Sequence, residues 1–192
     1  MLDKCELLHD RKIAILAADG FDESQLFSPK KALEDAGAKV YIVSLKDGKI
    51  KSWSEDHWGK SINVDSTVYN SSSEEFDGLL IPGGFNNPEI LSHDKKALEF
   101  VKDFANEGKS IAAICDGTQV LIETGLTKGR TLTTWPSLKK LLINSGAKWR
   151  DDDVVAYKGI ISSRCPYDNP KFNKVMIEEF SISPRCRKSL LH

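Results

Sequence analysis

Short apolar runs alternate with amphipathic stretches along the chain. Lys12-Ile-Ala-Ile-Leu-Ala17 is rich in strand formers and stops at the turn signal Asp19-Gly20. Ser28-Pro29 then predicts a helix start, and KKALEDAG carries the helix to a C-terminal cap at Gly37. Lys39 to Ser44 (KVYIVS) is a second strand, so the first elements form a βαβ unit with parallel strands and a right-handed crossover. After the turn dipeptide Asp47-Gly48, the stretch from Lys49 to Tyr69 has short alternating segments without helical period, which predicts a hairpin excursion. Phe76 to Ile81 is the next strand and ends in Pro82-Gly83-Gly84. Between Asp94 and Asn106 the apolar residues Ala97, Leu98, Val101, Phe104 and Ala105 keep helical spacing, and Gly108 stops the element. Ser110 to Ile114 is a buried strand, followed by a helix from about Gly117 to Gly125. A strand (Arg130 to Thr134), a helix (Pro136 to Gly146), a β pair (Val154 to Tyr157, Ile160 to Ser163) and a last helix (Pro170 to Phe180) complete the pattern. This alternation predicts a doubly wound α/β domain with a mostly parallel sheet flanked by helices. No repeat or linker interrupts residues 11–182. Residues 1–10 read as an extension and 183–192 as a tail, in which Leu190 and Leu191 either dock or stay loose.

Composition narrows the function classes. The 192 residues are 40% hydrophobic, with 13 glycines, which is enough apolar surface to exclude a disordered chain. Lys and Arg number 27 against 28 Asp and Glu, and a net charge of -1 argues against a nucleic-acid partner. No apolar run approaches the ~18 residues of a membrane span, and the charged start MLDKCELLHDRK has no signal-peptide core, so no membrane partner and a cytoplasmic location are expected. Cys5, Cys115, Cys165 and Cys186 form no CxxC pair, and His9, His57, His93 and His192 are scattered. Neither a metal site nor a disulfide framework is expected. Without GxGxxG or a P-loop, no cofactor is expected either.

In doubly wound sheets, sites form beyond the carboxyl ends of the strands, here at Asp19-Gly20, Gly83-Gly84 and Cys115. Ala113-Ile-Cys-Asp-Gly117 has the small-x-nucleophile-x-Gly pattern of a nucleophile elbow. A sharp strand-to-helix turn needs small neighbours and lifts the nucleophile to the helix N-terminus, where N–H groups favour a thiolate. The competing reading is a small hydrophobe ending a buried strand. Trp53, His57 and Trp58 on the excursion fit a binding surface or, in preference, packing or a subunit contact; Asp22 and Glu23 are expected to face solvent, and Cys165 is expected to be a buried spectator rather than a second redox thiol.

Six segments in order resemble the ThiJ/PfpI superfamily over about residues 11–182: ILAADGFDESQ (Ile15 to Gln25), FDGLLIPGG (Phe76 to Gly84), NPE (Asn87 to Glu89), AICDG (Ala113 to Gly117), KGRTLTTWPSLKKLLINSGAKW (Lys128 to Trp149) and SSRCP (Ser162 to Pro166). The resemblance implies a flavodoxin-like fold and membership among intracellular proteases, glyoxalases, deglycases and stress-response proteins. It makes Cys115 the nucleophile or redox-sensitive thiol, Gly84 and Asp116 N–H groups the oxyanion hole, and Trp135 an aromatic pocket residue. It implies a homodimer or higher homo-oligomer, in which Glu89 from the neighbouring subunit completes a triad. Arg164 in SSRCP fits either a pocket residue that orients substrate or a structural ion pair.

Two positions depart from the resemblance. The histidine that follows the cysteine in protease-like members is Asp116, and the glutamate that contacts sulfur in many members is Gln25. A free thiol of pKa ~8.5 is only about 3% thiolate at pH 7. A helix N-terminus supplies roughly 0.3–2 kcal/mol towards the anion. A carboxylate at an assumed ~7 Å and effective dielectric of ~20 costs about 2.4 kcal/mol, which cancels that help. The alternative is an Asp116 turned to solvent. Gln25 donates a hydrogen bond at any pH but cannot shuttle protons. These residues leave two functions. One is a cysteine-dependent enzyme, hydrolase-, deglycase- or protease-like, acting on a small aldehyde-derived or peptide substrate. The other is a non-catalytic redox-sensing or chaperone-like stress protein.

Overall fold

A computed structural model describes residues 7–183; Cys5, Cys186, Leu190 and Leu191 lie outside the described residues. The strands are β1 (Lys12–Leu16), β2 (Phe21–Asp22), β3 (Lys39–Ser44), β4 (Lys49–Ser54), β5 (His57–Asn63), β6 (Ser66–Thr67), β7 (Gly78–Ile81), β8 (Ser110–Ile114), β9 (Thr131–Leu132), β10 (Lys148–Trp149), β11 (Val154–Tyr157) and β12 (Ile160–Ser163). The helices are α1 (Glu23–Asp35), α2 (Asn87–Ser92), α3 (Lys95–Asn106), α4 (Thr118–Thr124), α5 (Lys139–Asn144) and α6 (Asn169–Ser181).

The central sheet runs β11-β12-β8-β7-β1-β3-β6. Every pairing is parallel except that of β11 with β12. Its principal parallel strands, β1, β3, β7, β8 and β12, lie in the order second, first, third, fourth, fifth, which is the flavodoxin-like topology. The strand order reverses between β1 and β7, so the loops after these strands meet at the carboxyl edge of the sheet.

Both faces of the sheet are covered, which is why the strands read as unbroken apolar runs. Ala14, Leu16, Leu79, Ile81 and Ala113 point into one core, and Ile13, Ile15, Leu80, Ala112 and Ile114 into the other. On the first side α3 buries Ala97, Phe100, Val101 and Phe104, and Phe76 stacks on Phe104 at 6.4 Å between ring centroids. The hairpin of β4 and β5 pairs with β2 in a separate small sheet.

Several boundaries differ from those the sequence predicts. Helix α1 starts at Glu23 rather than at Pro29, because the Asp22 carboxylate accepts the Gln25 N–H at 3.0 Å and caps the helix six residues earlier. Pro29 lies inside the helix, and its missing N–H leaves the Gln25 carbonyl without the usual partner one turn on. The strand expected over Arg130–Thr134 contributes only Thr131–Leu132, which pairs with β10 outside the central sheet. The helix expected over Pro136–Gly146 divides into a 3₁₀ turn (Pro136–Leu138) and α5. Helix α2, with Pro88 in its first turn, has no counterpart in the hydrophobic pattern because six residues are too few for a period to show.

Asn87 at the start of α2 ties the two central loops together. Its side chain is fully buried; Oδ1 accepts the Ala18 N–H, and Nδ2 donates to the Pro82 carbonyl, both at 2.6 Å. Asn87→Ala leaves a buried donor and a buried acceptor unpaired, at a cost of roughly 1–3 kcal/mol for each group. Urea denaturation should therefore show a midpoint well below that of the wild type with the slope unchanged; an unaltered midpoint would show that these loops do not depend on the amide.

Candidate active site

Strand β8 ends at Ile114, and the chain turns at Cys115 with φ +57° before a 3₁₀ turn (Cys115–Gly117) leads into α4. A side chain in this left-handed region is strained, and such strain persists only where neighbours fix it. Here the Cys115 carbonyl accepts the hydroxyls of Thr118 at 2.7 Å and Thr134 at 3.2 Å. Gly117 then passes so close to the end of β7 that a methyl group would strike the Ile81 carbonyl oxygen. This is the physical requirement for the glycine in AICDG.

The turn presents the sulfur to a cavity of about 410 Å³ that is also lined by Gln25, Gly84, Asp116 and Trp135. Gly84 has φ +134°, and a methyl group there would collide with the Gly20 carbonyl oxygen and the Asp22 amide, so only glycine lets the two loops touch. Gln25 is almost fully buried. Its Oε1 accepts the Gly83 N–H at 2.8 Å, and its side chain also hydrogen-bonds the Cys115 sulfur in a way that favours the thiolate.

Asp116 does not turn to solvent. Its carboxylate faces the cavity, accepts the Gly84 N–H at 3.5 Å, and accepts a hydrogen bond from the Cys115 thiol. Burial of the sulfur pushes the thiol pKa up most, and the Asp116 charge and its hydrogen bond push it further. The Asp116 backbone N–H and Gln25 pull it down, and they do not win. One expected oxyanion donor, the Gly84 N–H, thus faces a carboxylate.

The DJ-1/PfpI family model matches residues 11–179. The chain belongs to the DJ-1/PfpI family. "Putative cysteine protease YraA" of Bacillus subtilis (strain 168) is 40% identical over 164 residues, covering 85% of this chain and 95% of the relative. "Protein/nucleic acid deglycase 2" of Escherichia coli (strain K12) is 36% identical over 168 residues, covering 85% and 94%. The crystal structure of Drosophila melanogaster DJ-1beta superposes with a TM-score of 0.81 at 27% identity, covering 94% of this chain and 97% of that one.

Of the residues singled out in this DJ-1/PfpI chain, Cys115, Asp116, Gln25, Gly84 and Trp135 converge on one cavity. Two do not. Arg164 stands outside the lining, because its guanidinium is bound by Asp151 at 3.1 Å, by Asp168 at 3.3 Å and by Asp153. It is a structural ion-pair hub, and these carboxylates, Asp168 first, hold its charge more firmly still. Glu89 lies on α2 outside the cavity, where it accepts Gln119 Nε2 at 3.2 Å and pairs with His93 at 3.5 Å. Cys165 is half-buried rather than buried, with its sulfur 3.6 Å from Asp168 Oδ2.

Three lining residues were not among the expected site residues, namely Asp22, Phe85 and Pro166, and a fourth, Trp53, lines the cavity although packing or a subunit contact was the preferred reading for it. Asp22 and Pro166 sit inside quoted motifs, and Phe85 directly follows the double glycine. Trp53 arrives only through the pairing of β2 with β4, then stacks on Phe85 at 4.7 Å. That pairing also overturns the expectation that Asp22 and Glu23 face solvent. Glu23 accepts Ser52 Oγ at 2.9 Å, the Lys60 N–H at 3.1 Å and Lys60 Nζ at 2.8 Å, clamping the hairpin to the start of α1.

The Lys60 side chain, foremost, holds the Glu23 carboxyl at about 2, against an ordinary value of 4.5. A lowered folded pKa adds stability above about 4.5 and loses it as pH falls towards 2. Tryptophan fluorescence, which includes Trp53 and Trp58, should therefore report loosening of the hairpin in that window. Glu23→Gln should abolish that transition, and an identical acid transition in both proteins would refute the clamp.

The Asp116 geometry makes a second prediction. Alkylation of Cys115 should climb with pH beyond 9 without a plateau in the wild type, because the thiol stays protonated. Asp116→Asn removes the charge and should move the curve to lower pH, raising the thiolate fraction at pH 8 by roughly tenfold. Superimposed curves would show that the carboxylate does not act on the sulfur.

Proposed function

We propose that this chain is a cysteine-dependent enzyme of the DJ-1/PfpI type, hydrolase- or deglycase-like, in which Cys115 adds to the carbonyl of a small aldehyde-derived or peptide substrate. The observation that carries this reading is the strained cysteine held open to a 410 Å³ cavity at the carboxyl edge of the sheet. Two relatives named above, one a deglycase, agree with it.

The elevated thiol pKa shapes the mechanism. Burial and the neighbouring Asp116 charge hold the proton on the sulfur. Attack by a preformed thiolate is therefore disfavoured. Asp116, already the hydrogen-bond acceptor of the thiol, takes the proton as the sulfur–carbon bond forms and returns it to the carbonyl oxygen. The resting thiol is at the same time a poor target for peroxide, since oxidation follows thiolate character. That weighs against the redox-sensing alternative.

We further propose that the enzyme is cytoplasmic and works as a homodimer or larger homo-oligomer. The exposed Glu89 carboxylate is then available to reach the site of a neighbouring subunit.

The test compares wild type with Cys115→Ala on glyoxal, on glyoxal-modified amines and on peptides. A loss of about a hundredfold or more in kcat/KM is expected on the true substrate class. Equal turnover by both proteins on every substrate removes the proposal.

A further inference from the structure

A second cavity of about 400 Å³ opens beside the first and shares two walls with it, Asp22 and Trp53. Its remaining lining includes Glu23, Phe27, Glu55 and Lys60. Across the two cavities four carboxylates, those of Asp22, Glu23, Glu55 and Asp116, face a single ammonium. That ammonium shows what the space can hold: Lys60 Nζ lies 2.8 Å from Glu23 Oε1 and 5.8 Å from the centroid of the Phe27 ring. The Lys60 side chain stays largely exposed, so the rim of this space pairs an anion and an aromatic face with a cation that keeps most of its water.

Glu23 is saturated by the hairpin clamp, but Glu55 is not. It sits at the hairpin tip with φ +55°, its carbonyl accepts Trp53 Nε1 at 3.0 Å, and its carboxylate makes no ion pair among the described residues. The Asp22 cap uses only Oδ1, for the Gln25 N–H at 3.0 Å and Ser24 Oγ at 2.7 Å.

We propose that the two cavities are one groove, in which the Trp53–Glu55 arm binds an ammonium or guanidinium group of the substrate while its carbonyl lies over Cys115. The substrate class is thus a cationic carbonyl adduct or a basic peptide, and anionic analogues are rejected. This rests on Cys115 being the reacting group, but it can fail separately.

The test reads the sulfur rather than turnover. Three methanethiosulfonates, one bearing a trimethylammonium, one a sulfonate and one a plain methyl group, are reacted with the protein. Labelling of Cys115 is followed by site-resolved mass spectrometry, and each rate is normalised to that of a free small thiol. At low ionic strength the cationic reagent should be favoured over the anionic one by ~10-fold or more. The preference should shrink with salt. It should also fall several-fold in Glu55→Gln, in Glu55→Lys, and in Asp22→Asn, which keeps the helix cap.

A ratio within about twofold of one, or a ratio that none of these variants moves, overturns the proposal while leaving Cys115-dependent turnover intact. A Cys115 that even the neutral reagent cannot reach also overturns it, because the groove then stops short of the sulfur.

Discussion

The Gly83 N–H held by the buried Gln25 amide at 2.8 Å is the contact on which the site depends. It joins the loop after β7 to the first turn of α1, and the close approach of Gly84 to the loop after β1 completes the seam. An unpaired amide at this depth would cost ~1–3 kcal/mol, so the loops have little freedom to part. Gln25 reaches Gly83 from the first turn of α1, which the Asp22 cap sets, and it is also a group whose hydrogen bond to the sulfur favours the thiolate. One side chain thus fixes both the wall of the cavity and the orientation of the thiol.

Within that frame, Asp116 sets the electrostatics. A histidine in its place would carry a positive or neutral ring and help a thiolate form. A carboxylate beside a buried sulfur adds charge repulsion to desolvation, and the two together outweigh the donors aimed at the anion. The same carboxylate takes the Gly84 N–H that would otherwise stabilise a substrate oxyanion. Chemistry that builds up little negative charge, such as thiol addition to an aldehyde with concerted proton return, suits this arrangement better than hydrolysis through a fully charged tetrahedral intermediate.

Much of this was legible in the sequence because the signals were local. The strand–turn–helix around Ala113-Ile-Cys-Asp-Gly117 follows from residue size, and the doubly wound sheet follows from the order of apolar runs. What was not legible depends on contacts between distant segments. Ser28-Pro29 looks like a helix start until the cap at Asp22 is seen, and Trp53 becomes a cavity wall only through a two-residue pairing of β2 with β4. Arg164 could not be assigned because three aspartates from two separate stretches compete for it, and their convergence is a tertiary fact. The direction in which Asp116 points was likewise invisible. The sequence weighed repulsion against exposure, and the structure turns the carboxylate towards the Gly84 N–H across the cavity.

The charge balance illustrates the same limit. A net charge of -1 over the whole chain argues against a polyanionic partner, yet it says nothing about where the charges lie. The clamp at Glu23 uses Lys60, the one ammonium lining either cavity, to dock the hairpin. The cation near the cavity is therefore spent on architecture, and Asp22, Glu55 and Asp116 are left to set the field over the sulfur. Low-dielectric walls of tryptophan and phenylalanine concentrate that field rather than spreading it into solvent. A chain that is nearly neutral by count thus presents a locally anionic groove. That asymmetry arises because the lysine is held by Glu23 as part of the contact that docks the hairpin.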